Sequence, residues 1–167
     1  GYEHDTSRGG GIEQYMEKGY IPYPLNEKRY GFHQAGASQT LEYAYQDWAL
    51  AQMAKILKKK DDYKLFSKRA LNYKNLWYAD KGWMWVKDHK GRWREPFDIL
   101  AYGDAWVESN AAQYTWWVPH DVQGLIDLMG GKEKFSEKLN HSFERASEHD
   151  FVSGKSHHVE TLQKNRE

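Results

Sequence analysis

Seven of the eight tryptophans fall between Trp77 and Trp117, and hydrogen-bonding side chains are threaded among them. Asp98, Asp104 and Glu108 are interleaved with the rings, and Asn110 and Gln113 stand one helical turn apart. The densest stretch runs Tyr102-Gly103-Asp104-Ala105-Trp106-Val107-Glu108-Ser109-Asn110 and on through Gln113, Trp116 and Trp117 to Asp121. Rings beside amides and carboxylates are what a neutral sugar needs: aromatic faces stack on its apolar C–H side, and the polar groups bind its hydroxyls. Packing alone also accounts for many tryptophans, because each buries a large apolar area. A carbohydrate site and a ring-built core both stand as readings of this stretch.

Other chemistries find little support. There is no Walker loop, no G-x-G-x-x-G, no G-x-S-x-G and no H-E-x-x-H. Gly9-Gly10-Gly11 follows Arg8 but lacks the Lys-Ser/Thr of a phosphate loop, and reads as a structural turn. His157 and His158 are adjacent, so on a helix or a strand they diverge and do not share an ion. His120-Asp121 follows Pro119 at a helix start, where Asp121 serves as N-cap. With no cysteine, disulfides, thiol nucleophiles and cysteine-zinc sites are excluded. Lys+Arg and Asp+Glu balance at 24 each, which removes the long-range attraction that nucleic acid or an anionic membrane requires. No apolar run approaches the roughly 18 residues of a membrane span.

The elements that must position these residues are mostly helical. At 167 residues the chain has room for one unit, residues 1–167. Leu, Ile, Val and Phe together make only about 17% of it, while Phe, Trp and Tyr supply 16%, so the core is built from rings. A short helix is expected over Ile12 to Lys18, and a long one from Ser38 as N-cap through some twenty residues free of Gly and Pro. On that long helix Leu41, Ala44, Tyr45, Trp48 and Ala51 share one face, and Tyr43, Leu50, Met53, Ala54 and Leu57 the other, a pattern for a helix between two layers.

After Lys58–Lys60, Asp61 or Asp62 is expected to cap a second helix with Tyr63, Phe66, Ala70, Tyr73 and Trp77 on one side. A two-sided helix followed by a one-sided one fits an inner and outer pair of a layered helical toroid, and also fits a simple bundle. Residues 78–107 read as an ordered aromatic loop with a short hairpin joining Trp83–Val86 to Arg92–Arg94. Helix returns over Asn110 to Val118 and stops at Pro119. It restarts behind Asp121, ends at Gly130-Gly131, and is followed by an amphipathic helix carrying Phe135, Leu139, Phe143 and Ala146. From Glu148 onward the chain is polar and uncommitted. Gly1 to Gly11 shows neither Met nor a signal-peptide pattern, so the chain reads as a piece of a longer one.

The stretch Val107-Glu108-Ser109-Asn110-Ala111-Ala112-Gln113-Tyr114-Thr115-Trp116-Trp117-Val118-Pro119-His120-Asp121-Val122-Gln123-Gly124-Leu125-Ile126 closely resembles the catalytic-acid segment of glycoside hydrolase family 92, the calcium-dependent exo-acting α-mannosidases. Arg8 to Tyr20, Thr40 to Ala54 (T-L-E-Y-A-Y-Q-D-W-A-L-A-Q-M-A) and Trp93 to Phe97 (W-R-E-P-F) resemble the same family in the same order, so the likeness covers nearly the whole chain. It implies an all-α fold of helical hairpins forming part of an (α/α)6 toroid, and an inverting mechanism hydrolysing terminal α-mannosidic bonds, α-1,2 or similar.

Carried over by motif, Glu108 is the general acid; from the ring-and-amide stretch itself, Trp106, Asn110, Gln113 and Trp116 are the expected substrate-binding residues. Ser109 and Ala112 depart from the Gly and Trp of many members. Inversion needs a second carboxyl about 6.5–9.5 Å from the first to activate water, and the family's later Asp-Asn-Gly base segment is not in this chain. Nor is its Gly-Asn-Glu/Gln-Pro-Ser segment, associated with calcium and mannose. Ca2+ is therefore implied for the parent enzyme with ligands mainly outside this stretch, and no metal ligand is assigned here.

The implied partners are mannose-containing glycans and the missing parts of the parent chain, and the implied location is periplasmic or secreted in a bacterium. The isolated piece is expected to be inactive and to self-associate weakly. The competing reading is a stand-alone helical carbohydrate-binding or scaffold domain in which Glu108 is a buried or hydroxyl-binding carboxylate.

Overall fold

The computed structural model describes residues 10–25 and 35–147. The first helix, α1 (Ile12–Lys18), lies where expected, between two glycines in the left-handed region, Gly11 at φ 79° and Gly19 at φ 76°. Gly19 donates its N–H to Tyr15 O and closes the helix. Tyr15 is fully buried with Ile21 and Leu25 in a small core of their own. Its hydroxyl donates to Asp47 Oδ2 at 2.8 Å, and Arg69 Nε donates to the same oxygen at 2.9 Å. Burial pushes the Asp47 carboxyl above its usual value, outweighing both of those bonds.

Helix α2 (Gly36–Ile56) begins two residues ahead of the expected cap, so Ser38 lies inside its first turn. Gly36 permits this start: a Cβ there would fall 2.8 Å from Ile21 Cγ2, tighter than side chains tolerate. The expected two-sided burial is only half met. Leu41, Ala44 and Ala51 are buried, whereas Leu50, Met53, Ile56 and Leu57 are exposed among the described residues. Tyr45 and Trp48 stack on one another at the edge, next to the His120 ring.

A tight turn with Lys58 at φ 57° reverses the chain into α3 (Lys60–Arg69), which packs along α2 as a helical hairpin and runs on as a 3-10 turn, Ala70–Leu76. Its N-cap is Lys59, not Asp61 or Asp62. Both acids sit in the first turn, where the unpaired amides of the helix start favour negative charge. Ala70, Tyr73 and Leu76 are buried, and Tyr63 stays exposed.

The aromatic loop contains more pairing than expected. Strand β1 (Trp77–Tyr78) pairs antiparallel with β2 (Trp83–Met84). The expected hairpin forms further along, with Lys87 bridged to Trp93 and Arg94 donating to Val86 O at 3.0 Å. Tyr78 and Trp93 stack at 4.4 Å, and Trp85 meets the edge of Phe97 at 5.0 Å. These rings belong to the main core with Leu41, Tyr73 and Leu76.

Helix α4 (Ala111–Tyr114) is a single turn, shorter than the expected Asn110–Val118, because the chain leaves the helix ahead of Pro119. Helix α5 (Val122–Leu128) starts as read, with Asp121 Oδ1 accepting from Gly124 N at 3.0 Å. Gly130 and Gly131, both at positive φ, end it. Helix α6 (Lys132–Ser147) follows, and Phe135 packs edge-on against Trp116 while Phe143 is exposed. Gly9, the tail from Glu148 and the His157-His158 pair lie outside the described residues.

Candidate active site

The Glu108 loop is built against the start of α2. A helix start leaves amides without intrahelical partners, and here Ala37 N and Ser38 N both donate to Ala105 O, at 3.1 and 3.3 Å. The Ser38 hydroxyl in turn accepts from Val107 N at 2.9 Å. Gly103 N donates to Ser109 O at 2.8 Å and Trp106 N to Gly103 O at 3.0 Å, closing residues 103–109 on themselves. Within this ring of bonds Asp104 and Glu108 take left-handed backbone conformations, φ 55° and 49°. Such a conformation costs a non-glycine residue about 1–2 kcal/mol, and it persists because the anchors on either side hold it. Arg94 donates to Asp104 Oδ2 at 3.0 Å, fixing the outer side of the loop. The Glu108 side chain is left exposed.

Val107 and Ser109, the two neighbours of Glu108, line an open cleft of about 390 Å³ together with Glu42, Gln113, Tyr114 and Trp117. Glu42 stands one helical turn beyond Ser38 on α2, so the same face of α2 anchors the loop and walls the cleft. Burial raises the Glu42 carboxyl above its usual value, and the neighbouring Trp117 side chain offsets part of that rise. The Ser109 hydroxyl donates to Gln113 Oε1, tying the two polar side chains of the opposite wall together.

The structure separates the residues singled out in the sequence. Gln113 lines the cleft, and Glu108 does not, although its chain neighbours Val107 and Ser109 do. Trp106, 3% exposed, is in the main core and stacks on Tyr114 at 5.6 Å. Asn110 is fully buried; its Oδ1 accepts from Gln113 N at 3.2 Å and caps α4, and its Nδ2 has no partner. Trp116 is half-buried against Phe135. The indole at the cleft is instead Trp117, 42% exposed. Neither Trp117 nor Glu42 stood out in the sequence as a site residue. Trp117 belongs to the same aromatic run as Trp106 and Trp116, and nothing in the spacing separates the three. Glu42 sits some 65 residues upstream, with no local signal beyond its place in the T-L-E-Y stretch.

Among the described residues no group of three or more His, Asp or Glu side chains comes together as a metal site. No described helix is long and apolar enough to cross a membrane.

Residues 2–165 match the model of the glycosyl hydrolase family 92 catalytic domain. An inverting mannosidase of that family from Bacteroides thetaiotaomicron superposes with a TM-score of 0.72 at 41% identity, over 78% of this chain and 17% of its own. A family 92 α-mannosidase from the same organism gives a TM-score of 0.68 at 43% identity, over 77% of this chain and 16% of its own. That second protein, solved in complex with mannoimidazole, gives 0.70 at 40% identity. A curated relative described as an uncharacterized secreted glycosidase, from Arthroderma benhamiae, is 27% identical over 156 residues, which is 79% of this chain and 20% of that protein. The chain thus spans about a fifth or less of the relatives it matches.

Proposed function

The chain belongs to glycosyl hydrolase family 92, and from that premise we propose that it is part of an inverting α-mannosidase, to which it contributes the general acid Glu108 and one wall of the sugar site. The observation that carries this reading is the loop itself. A carboxylate side chain is held out from a strained left-handed backbone, between two residues that line a cleft. Backbone strain concentrates where function demands a fixed geometry, and an acid must be aimed at the leaving oxygen to be useful.

In the proposed reaction Glu108 gives its proton to the glycosidic oxygen as the bond to the anomeric carbon breaks. A base on the opposite face of the ring takes a proton from the attacking water, which inverts the configuration. We assign the base to the parent chain outside these residues. We assign the calcium ligands that the family resemblance implies to the parent chain outside these residues as well. The α2/α3 hairpin is taken as an inner and outer pair of an (α/α)6 toroid. The exposed apolar edge of α2, Leu50, Met53, Ile56 and Leu57, is then covered by further helices of the parent chain. Substrates are glycans ending in α-linked mannose, and export from the cell agrees with the secreted description of the fungal relative.

The test is Glu108→Gln in the full-length parent enzyme. Turnover of mannosides with poor leaving groups is expected to fall by roughly 10²–10⁴-fold, the usual worth of a positioned acid, and much less with an activated aryl mannoside that departs without protonation. Equal losses on the two substrates would overturn the assignment.

A further inference from the structure

The loop that carries Glu108 is held on two sides, and the two holds differ in kind. On the inner side backbone groups and the Ser38 hydroxyl tie it to the start of α2. On the outer side the tie is an ion pair, Arg94 Nη2 donating to Asp104 Oδ2 at 3.0 Å. Arg94 is itself anchored at both ends of its backbone: its N–H donates to Val86 O at 3.0 Å, and its carbonyl accepts from Trp85 Nε1 at 2.8 Å. Trp85 and Val86 are buried in the main core. The guanidinium carbon lies 4.6 Å from the centroid of the Tyr23 ring, and Tyr23 N donates to Lys87 O of the same hairpin at 2.8 Å. A cation held over a ring has less freedom left to lose when it pairs, so Arg94 is a stiff strut from the core to the loop. Its side chain is 35% exposed and that of Asp104 52%. A pair so wet adds little to overall stability, and what it fixes is local geometry.

We infer that Arg94 is a positioning residue for the acid, acting on Glu108 through Asp104 and the neck of the loop, an inference that rests on the proposed role of Glu108. Gly103 and Asp104 are left-handed in succession, at φ 76° and 55°, and they swing the chain into the loop. No atom lies within 4 Å of where a Cβ on Gly103 would be, so the glycine serves the turn and not a close contact. Its N–H donates to Ser109 O at 2.8 Å and closes the neck. Ser109 follows Glu108, which is left-handed as well, at φ 49°. The path from the guanidinium to the acid is therefore short: the ion pair to Asp104, the peptide link to Gly103, the neck bond to Ser109, and the peptide link to Glu108. Movement at Asp104 passes along it to the backbone that aims the carboxyl. Without the guanidinium, water solvates the half-exposed Asp104 carboxylate, so the fold survives while the loop gains freedom.

The experiment compares Arg94→Ala, Asp104→Ala, the double variant and Asp104→Asn in the full-length enzyme, with Glu108→Gln run alongside. Two substrates are used, an α-linked mannobiose and an aryl α-mannoside with an activated leaving group. Arg94→Ala and Asp104→Ala are each expected to lower kcat on the mannobiose by about tenfold to a hundredfold, the scale of a misplaced catalytic group, with KM unchanged and a much smaller loss on the aryl mannoside. The double variant should lose no more than either single one, because both remove the same tie. Asp104→Asn keeps an oxygen for the guanidinium and should recover most of the rate. Arg92→Ala breaks the exposed pair with Asp88 two positions away and is the control that changes neither substrate. Peptide-resolved hydrogen exchange should quicken over residues 103–109 in Arg94→Ala and not in Arg92→Ala. Equal losses on both substrates, additive losses in the double variant, or unaltered exchange over 103–109 would overturn the inference. Equal losses in Glu108→Gln itself would show that the acid assignment fails and takes the inference with it. A leaving-group-dependent loss in Glu108→Gln beside an unaffected Arg94→Ala overturns the inference alone.

Discussion

The hydroxyl of Ser38 accepts a hydrogen bond from Val107 N at 2.9 Å across 69 positions of sequence, and this bond fastens the Glu108 loop to the first turn of α2. Its neighbours reinforce it, since Ala105 O caps the amides of Ala37 and Ser38. Loop and helix start thereby satisfy each other's free backbone groups, and neither end has to find water.

Replacing Ser38 with Ala removes the acceptor of an amide beside a side chain that is itself 1% exposed. Leaving such a donor unpaired costs about 1–3 kcal/mol. Chemical denaturation should show a loss of that size, and hydrogen exchange should quicken at Val107 and Glu108 more than in α3. Uniform quickening across the chain would mean that the bond does not hold the loop in particular.

At Glu108 the backbone is left-handed, at φ 49°. Glycine there removes the steric cost while adding freedom to the unfolded chain, so Glu108→Gly is expected to leave stability unchanged or to raise it by up to about 1 kcal/mol. Glu108→Val, β-branched at the same angle, should lower it by about 1–3 kcal/mol. Equal stability of the glycine and valine variants would show that the loop relaxes out of this conformation at no cost.

Gly124 packs where Asp121 Oδ2 and the Tyr73 hydroxyl meet, the hydroxyl donating to that oxygen at 2.7 Å. A Cβ would fall on both atoms. Gly124→Ala must therefore push apart the cap of α5 and its tyrosine partner, despite alanine's better helix propensity of about 1 kcal/mol. A net destabilisation of about 1–3 kcal/mol is expected from thermal unfolding, and a stabilised variant would contradict the packing described.

Asp47 and Glu42 both hold their protons more tightly in the fold than in the unfolded chain, because burial outweighs their partners. The unfolded values are near 3.8 and 4.5. Each contribution is therefore fully present below those values and is lost as pH rises through the higher folded values. Asp88 works in the opposite sense: hydrogen bonds from Arg92 hold it low, so what it adds is lost as pH falls. Stability measured from pH 4 upward should decline initially, and Asp47→Asn with Glu42→Gln should flatten that decline. An unchanged slope in the double variant would assign the effect to other groups.

The sequence by itself determined the elements whose signals are local. Helix α1 is bracketed by Gly11 and Gly19, and α5 by Asp121 and Gly130-Gly131; each of these acts within a few residues on its own backbone, so position in the chain suffices. It also determined the family, because the Val107 to Ile126 stretch is a contiguous string. Tertiary structure decided which side chains face the cleft. Trp106, Trp116 and Trp117 are one residue type in one short run, yet a left-handed step at Glu108 and the single turn of α4 send two of them into packing and leave the third at the cleft. Asn110 spends its oxygen on a cap for the same reason. Ser38 and Glu42 gained their places only when α2 met a loop some 65 to 70 residues away, for a hydroxyl that reads as a helix cap takes whichever buried amide the packed chain brings to it.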